Sequence, residues 1–465
     1  MRTFMKIHLA ALALFVLWGC AILHPTDPYA PALVSPTPGS PVPLPGFPPQ
    51  VGHSDLKGPM DLDRCVDIAL RNNPEIAATT WEVSAAGFRI DQARAARWPS
   101  LSADSGYFHH LDNQRLIQAR YNGEPGFFDT DIFRGDIILK IPLFTGGRII
   151  NEISASQILR KAEENRLSRT RDELIFNVSS TYYGILAQRK VIYSLEFSIQ
   201  AMEEQLKKIS DLLAVQKAAR VDLLRTQVRL ADLKQNLVRE QNLLAIQKRL
   251  LANFMGLDYD SDRIDIEGKL SFEEITCDAD LLTTEALRAR PDFLATRARL
   301  EAQARRVDIA RAAHYPNVSI LGSYGIRANS LGDDEDVGSV GLGLTVPLFE
   351  GGRILARESE ERSTLAAARE RLRKLELQIR QEVETAVLDV RSSSERVKAT
   401  QQAIDQGRES LRIERQKYEL GLGSITDVLD AQSALLQSET NYYRALADFR
   451  TSVARIGLVT GGHAS

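Results

Sequence analysis

Pro142-Leu143-Phe144-Thr145-Gly146-Gly147-Arg148 and Pro347-Leu348-Phe349-Glu350-Gly351-Gly352-Arg353 are one seven-residue phrase written twice, 205 residues apart, with a single difference. Each copy follows a short alternating apolar run and opens a long segment free of proline. A proline closes a strand, a glycine pair turns the backbone sharply, and a helix starts. The phrase is a strand-to-helix junction, and the chain has two.

The prolines carry the same duplication. Eleven of the eighteen lie in residues 25–59, and six of the other seven form pairs: Pro74 with Pro291, Pro99 with Pro316, Pro142 with Pro347. Each copy begins with a helix rich in Ala, Arg and Glu, expected over 61–97 and 282–313, and a strand follows Pro99 or Pro316. In the second copy Val318, Ile320, Tyr324 and Ile326, then Val340, Leu342, Leu344 and Val346, alternate with Ser319, Ser323, Gly341, Gly343 and Thr345. The first copy repeats this more weakly, through Leu101, Ala103 and Tyr107, then Ile137, Leu139 and Ile141. Period two with one greasy and one wet face, in strands of about nine to eleven residues, suits a transmembrane β-barrel.

After each junction come about 67 residues that as one helix would reach ~100 Å. Val178, Ile185, Ile192, Ile199, Leu206 and Leu213 recur every seven residues, and so do Val383, Val390, Val397, Ile404, Leu411 and Tyr418. Short breaks near 214–220 and 419–424 separate these ladders from Leu223–Leu251 and Val428–Ile456, which keep the same step. A seven-residue period held this long imposes a left-handed supercoil, so each pair is expected as an antiparallel coiled-coil hairpin. Four strands cannot close a barrel and open edges are not tolerated in lipid, so the chain must oligomerise. Two copies would give eight strands and three would give twelve.

The amino terminus carries an address. Arg2 and Lys6 precede a short apolar run, Leu9 to Leu17, too short to span a bilayer and suited to an export signal. It ends in Leu17-Trp18-Gly19-Cys20, which resembles the lipobox of bacterial lipoproteins and makes Cys20 the expected lipidation site. An ordinary secretory signal is the alternative. The divisions expected are residues 1–19 signal, 20–60 lipid anchor and proline-rich tether, 61–257 repeat 1, 258–281 equatorial connector, 282–458 repeat 2 and 459–465 tail. Cys65 and Cys277 are read as two isolated thiols, although a disulfide could survive outside the cytoplasm.

A chain that is 44% hydrophobic and 26% charged, with formal charge -3 and no basic tract, offers no nucleic-acid surface. No metal-ligand spacing, phosphate loop or nucleophile elbow is present, so neither a cofactor nor an enzyme is expected. His109-His110 and the run Asp333-Asp334-Glu335-Asp336 read as solvated loops rather than metal sites. Gly338-x-x-Gly341-x-Gly343 runs within a strand and opens no helix, so it is not a nucleotide motif.

The duplicated junctions and the run Tyr418-Glu419-Leu420-Gly421-Leu422-Gly423-Ser424-Ile425-Thr426-Asp427-Val428-Leu429-Asp430 closely resemble the outer-membrane efflux protein family, the TolC- and OprM-like channels. The resemblance covers about 61–458. It implies an α+β membrane protein, a homotrimer whose 12-stranded β-barrel in outer-membrane lipid continues as a 12-helix coiled-coil tunnel across the periplasm. It implies two partners, a periplasmic adaptor and an inner-membrane pump, and the passive conduction of small molecules such as drugs or metal ions. A duct for protein secretion, or a coiled-coil spacer without a pore, are the competing expectations. The adaptor is expected on the hairpin turns, at Lys217 and Ala218 and at Leu420, Gly421 and Leu422. Asp427 and Asp430, with Asp222 and Tyr418, are expected to form the constriction. Ser424-x-x-Asp427 is also a capping box. Gly423 stands where TolC-like members place a bracing arginine, so the tip is expected to be held mainly by packing.

Overall fold

The computed structural model describes residues 58–257 and 264–462. Cys20, the tether before Gly58, residues 258–263 of the connector and the last three residues lie outside the described residues. Twelve elements are described: α1 Leu62–Asn72, α2 Pro74–Ala95, β1 Ser100–Arg115, β2 Phe128–Phe144, α3 Arg148–Ala214, α4 Arg220–Phe254, α5 Ala279–Ala289, α6 Pro291–Ala312, β3 Asn317–Asn329, β4 Asp334–Thr345, α7 Arg353–Glu419 and α8 Ile425–Thr460. Two copies of helix, helix, strand, strand, long helix, helix account for all of them.

Three details differ from the sequence reading. The single helices expected over 61–97 and 282–313 are each broken at a proline. Asn73 and Arg290 sit at ψ 125° and 122°, because a residue before proline is driven out of the helical region. The strands are longer than nine to eleven residues, at 16, 17, 13 and 12. Alternation marked only their greasy stretch, whereas pairing continues into polar residues such as Gln114↔Asp129 and Arg327↔Glu335. Finally, α5 begins inside the expected connector, where the Asp278 carboxylate caps it by accepting from the Asp280 and Leu281 amides.

The strands form one antiparallel sheet in the order β1-β2-β3-β4. Its two hairpins share a register: Ser100↔Lys140 in the first becomes Asn317↔Thr345 in the second, after shifts of 217 and 205. One face carries Leu101, Tyr107, Phe133, Ile137, Tyr324, Ile326, Val340, Leu342 and Leu344, all exposed. The other carries Asp104, Arg134, Asp136 and Arg327. There Arg327 forms a two-pronged pair with Asp136 at 2.7 and 3.0 Å, and Arg134 reaches Asp104 at 2.7 Å. A sheet greasy on one side and ion-paired on the other matches a wall between lipid and water. Among the described residues no helix is long and apolar enough to cross a membrane.

Each junction depends on consecutive left-handed residues. Gly146 and Gly147 have φ of 62° and 84°, and Gly351 and Gly352 have 59° and 84°. A side chain is strongly disfavoured twice in a row there, which is why the phrase carries Gly-Gly. The long helices pair as α3 with α4 and α7 with α8, and α3 also packs on α8, so the hairpins stand side by side in the order α4-α3-α8-α7. The heptad positions make the contact: Val178, Ile185, Val383 and Phe449 are fully buried. Near mid-height α1, Leu251, Met255 and Ile266 close a second core around Cys65. Both described cysteines are free, and they belong to different clusters, with Cys277 against Phe272 and Phe449. Burial pushes the Cys65 thiol up to about 12.

Candidate functional site

The ends of the two hairpins lie together, far along the helices from the sheet, and they bring most of the expected site residues to one place. In the second turn the Leu422 amide donates to Lys417 O at 2.8 Å and the Gly421 amide to Tyr418 O at 3.0 Å. Gly421, at φ 73°, supplies the left-handed residue that this helix end requires. Leu420 and Leu422 flank it with their side chains in solvent. The first turn is built identically, Lys217 N to Leu212 O at 2.8 Å and Gln216 N to Leu213 O at 3.0 Å, but its left-handed position is Gln216, at φ 60°. A non-glycine residue there is strained. Lys217 is exposed, while Ala218 is half-buried against the tip core.

Ser424 and Asp427 form a complete capping box. The Asp427 amide donates to Ser424 Oγ at 3.3 Å, and the Asp427 carboxylate accepts from the Ser424 amide at 3.2 Å and hydroxyl at 3.0 Å. Asp222, the repeat-1 counterpart of Asp427, follows Ala219, which has no side chain to cap with. Asp430 is exposed and caps nothing; it faces Arg225, Arg229 and Asp232 across a cleft of about 510 Å³ between α4 and α8. Tyr418 packs half-buried against the tip core rather than standing free, and burial, then Asp222, raises its hydroxyl pKa.

Within the chain the tip is packed around Ile209, Leu411, Ile425 and Val428. Polar ties join it within the chain. Arg225 Nη1 donates to Thr426 Oγ1 at 2.9 Å, Arg229 donates to Ser433 Oγ, and Lys208 pairs with Glu419 at 2.7 Å. An added Cβ on Gly423 would stand only 3.0 Å from Lys417 Cβ, so the turn itself favours the glycine.

Two further polar contacts, invisible in the sequence, fasten the helices. Arg290 is 2% exposed and binds Asp292 at 2.9 and 3.0 Å and Glu382 at 2.6 Å. Glu240, also buried, accepts from Gln188 at 2.8 Å; burial opposes its charge, but Gln188, Arg239 and Arg444 outweigh it and lower its pKa. Among the described residues no cluster of His, Cys, Asp or Glu could hold a metal ion.

The family model described as outer membrane efflux protein matches residues 65–257 and 282–462, one stretch per repeat. The chain belongs to the outer membrane efflux protein family. Its curated relatives include outer membrane protein TolC of Vibrio cholerae, 20% identical over 400 residues, covering 84% of this chain and 89% of the relative. A probable outer membrane lipoprotein of Salmonella typhimurium, SilC, is 22% identical, with 92% of each chain covered. Among solved structures, the CmeC outer membrane channel of Campylobacter jejuni superposes with a TM-score of 0.75 at 16% identity, over 86% of this chain and 85% of that one. Family members are channel components.

Proposed function

We propose that three copies of this chain form a passive efflux conduit in the outer membrane, a 12-stranded β-barrel continued by a 12-helix tunnel into the periplasm. One observation carries this reading: a sheet with a greasy face and an ion-paired face whose edge strands, β1 and β4, have no further strand partner among the described residues. Lipid does not tolerate such edges, so copies must close the ring. Eight strands leave an interior that side chains fill, whereas twelve leave a lumen, so a conduit favours three copies over two. Cys20 anchors each copy by lipid at the membrane surface. Small molecules enter from an inner-membrane pump through a periplasmic adaptor, which docks on Lys217, Ala218, Leu420, Gly421 and Leu422 at the hairpin ends. Asp427 and Asp430, aided by Asp222, set the charge of the mouth. Native mass spectrometry in detergent should give three chains, and planar bilayers should show single-channel currents. A stable monomer without conductance would sink the reading.

A further inference from the structure

The register of the sheet divides its ion-paired face into two unequal parts. Toward the lip, as far as β1 and β2 pair without a break, the charges cancel. Arg134 meets Asp104 at 2.7 Å and Asp136 at 3.3 Å, Arg327 meets Asp136, and Arg120 reaches Glu335 at 3.5 Å. Three guanidinium groups thus face three carboxylates, and this part of the wall has no net charge.

Toward the strand-to-helix junctions the same face holds a single charge among the described residues, Lys140. It pairs with Ser100 on β1 and Leu321 on β3, and Leu321 pairs with Gly341 on β4. The next level carries Ser102, Ser323 and Ser339. Lys140 is exposed, and among the described residues its ammonium makes no ion pair. Two residues separate each side chain on a face from the next, so Lys140 shares the face of Asp136. Leu139, one residue away, pairs with Leu101 on the greasy face. The position matching Lys140 in repeat 2 is Thr345, so each copy supplies one such ammonium.

We propose that Lys140 is a specificity-determining residue: three Lys140 ammonium groups form an anion-attracting belt at the base of the barrel lumen. The belt favours solutes that carry a carboxylate, sulfonate or phosphate. This rests on the three-copy ring proposed above and deepens it by naming a class of solute. A lone lysine on an open surface is screened by water and selects nothing. In a closed ring, symmetry repeats the charge around one enclosed space, with neutral serine and glycine between the copies. The belt lies at the opposite end of the conduit from Asp427 and Asp430. A solute bearing both signs of charge is attracted at each end, whereas a purely cationic one is resisted at the exit.

Twelve strands leave a lumen that side chains do not fill, which sets each ammonium ~8 Å from the axis. Three of them should enrich a monovalent anion about five-fold, and deplete a cation equally, at ~10 mM salt. There the screening length is about 30 Å; at ~1 M it is about 3 Å and the effect should vanish.

The test reads the charge at the belt itself, so the tip does not enter. Ser102→Cys, one level toward the lip, is treated in outer-membrane vesicles with two methanethiosulfonates, one carrying a sulfonate and one a trimethylammonium group. Mass mapping follows the rate at position 102 alone, and the ratio of the two rates cancels any change in the thiol itself. Adding Lys140→Gln should lower the anionic-to-cationic ratio on the order of twenty-fold at ~10 mM salt and leave it unchanged at ~1 M. Lys140→Arg should keep the original ratio. If native mass spectrometry finds trimers and the ratio is the same with Lys140→Gln, the belt is overturned and the channel reading stands. Trimers that conduct but never react at position 102 overturn the belt as well. If no trimer exists, both readings fall.

Discussion

Replacing Asp427 and Asp430 with Asn, singly and together, separates a helix cap from a channel charge. Asn at 427 keeps an acceptor oxygen for the Ser424 amide, so the box survives and only the favourable charge at the start of α8 is lost, about 0.5–1 kcal/mol. Asp430 caps nothing, and its replacement should change stability by less than about 0.5 kcal/mol. Channel charge is a different quantity. A carboxylate held ~6 Å from the axis attracts a monovalent cation by about 0.7 kcal/mol in water-like surroundings, so three give about 2 kcal/mol. Screening at 0.15 M roughly halves that, leaving about 1 kcal/mol, or a five-fold enrichment of cations and a like depletion of anions for each ring. Reversal potentials in planar bilayers under a salt gradient measure the ratio, and thermal unfolding in detergent measures the cap. Asp430→Asn should cut cation preference at no cost in stability, while Asp427→Asn should reduce both. Arg225 and Arg229 offer the rival outcome, because they share the cleft with Asp430. If the double variant keeps the wild-type permeability ratio, those guanidinium groups neutralise the ring and the constriction lies elsewhere.

Gln216→Gly should raise stability by up to about 1 kcal/mol, since it releases a left-handed residue from steric cost, whereas Gly421→Val should lose export while the trimer persists; full drug or metal resistance in Gly421→Val would remove that turn from the adaptor contact. Asp292→Ala should cost about 3 kcal/mol, because it strands a buried arginine with Glu382 alone, and Glu382→Gln only about 1 kcal/mol because Asp292 remains. Equal shifts in thermal midpoint for these two would show that Arg290 is not held as described. At pH 8 Cys277 should alkylate slowly and Cys65 not at all, since burial pushes the Cys65 thiol up to about 12; mass-mapped labelling of Cys65 in the folded trimer would refute this.

Much of the architecture was legible because it is written in local rules applied twice. Gly-Gly after Pro-Leu-Phe reports two consecutive left-handed residues, and the seven-step ladders report which helix faces meet. The ends of elements were less legible. Strands outran their alternation once side chains turned polar on both faces, and the helices before Pro74 and Pro291 stopped because of a rule about the preceding residue that periodicity conceals. What the sequence hid is pairwise and distant. Arg225 meets Thr426 across 201 positions and Arg290 meets Glu382 across 92, and no periodic pattern encodes such a pair. The capping box at Ser424 was readable because both partners lie within one turn; the strained Gln216 was not, because no local signal distinguishes it from its neighbours.

The unequal shifts, 217 before the strands and 205 after them, place the whole difference between the repeats inside the hairpins. The link between β1 and β2 spans residues 116–127 and that between β3 and β4 only 330–333. Arg120, in the longer link, reaches over to Asp336 O at 3.0 Å, so the tall loop leans on the start of β4. In the proposed ring the tunnel has nearly six equal staves, while its outer lip has three peaks and three notches. Whatever approaches from outside the cell therefore meets a three-fold crown, and a solute leaving through the lumen meets near six-fold walls. Insertions can lengthen those peaks without disturbing a single heptad, so the lip is the part of the molecule freest to change.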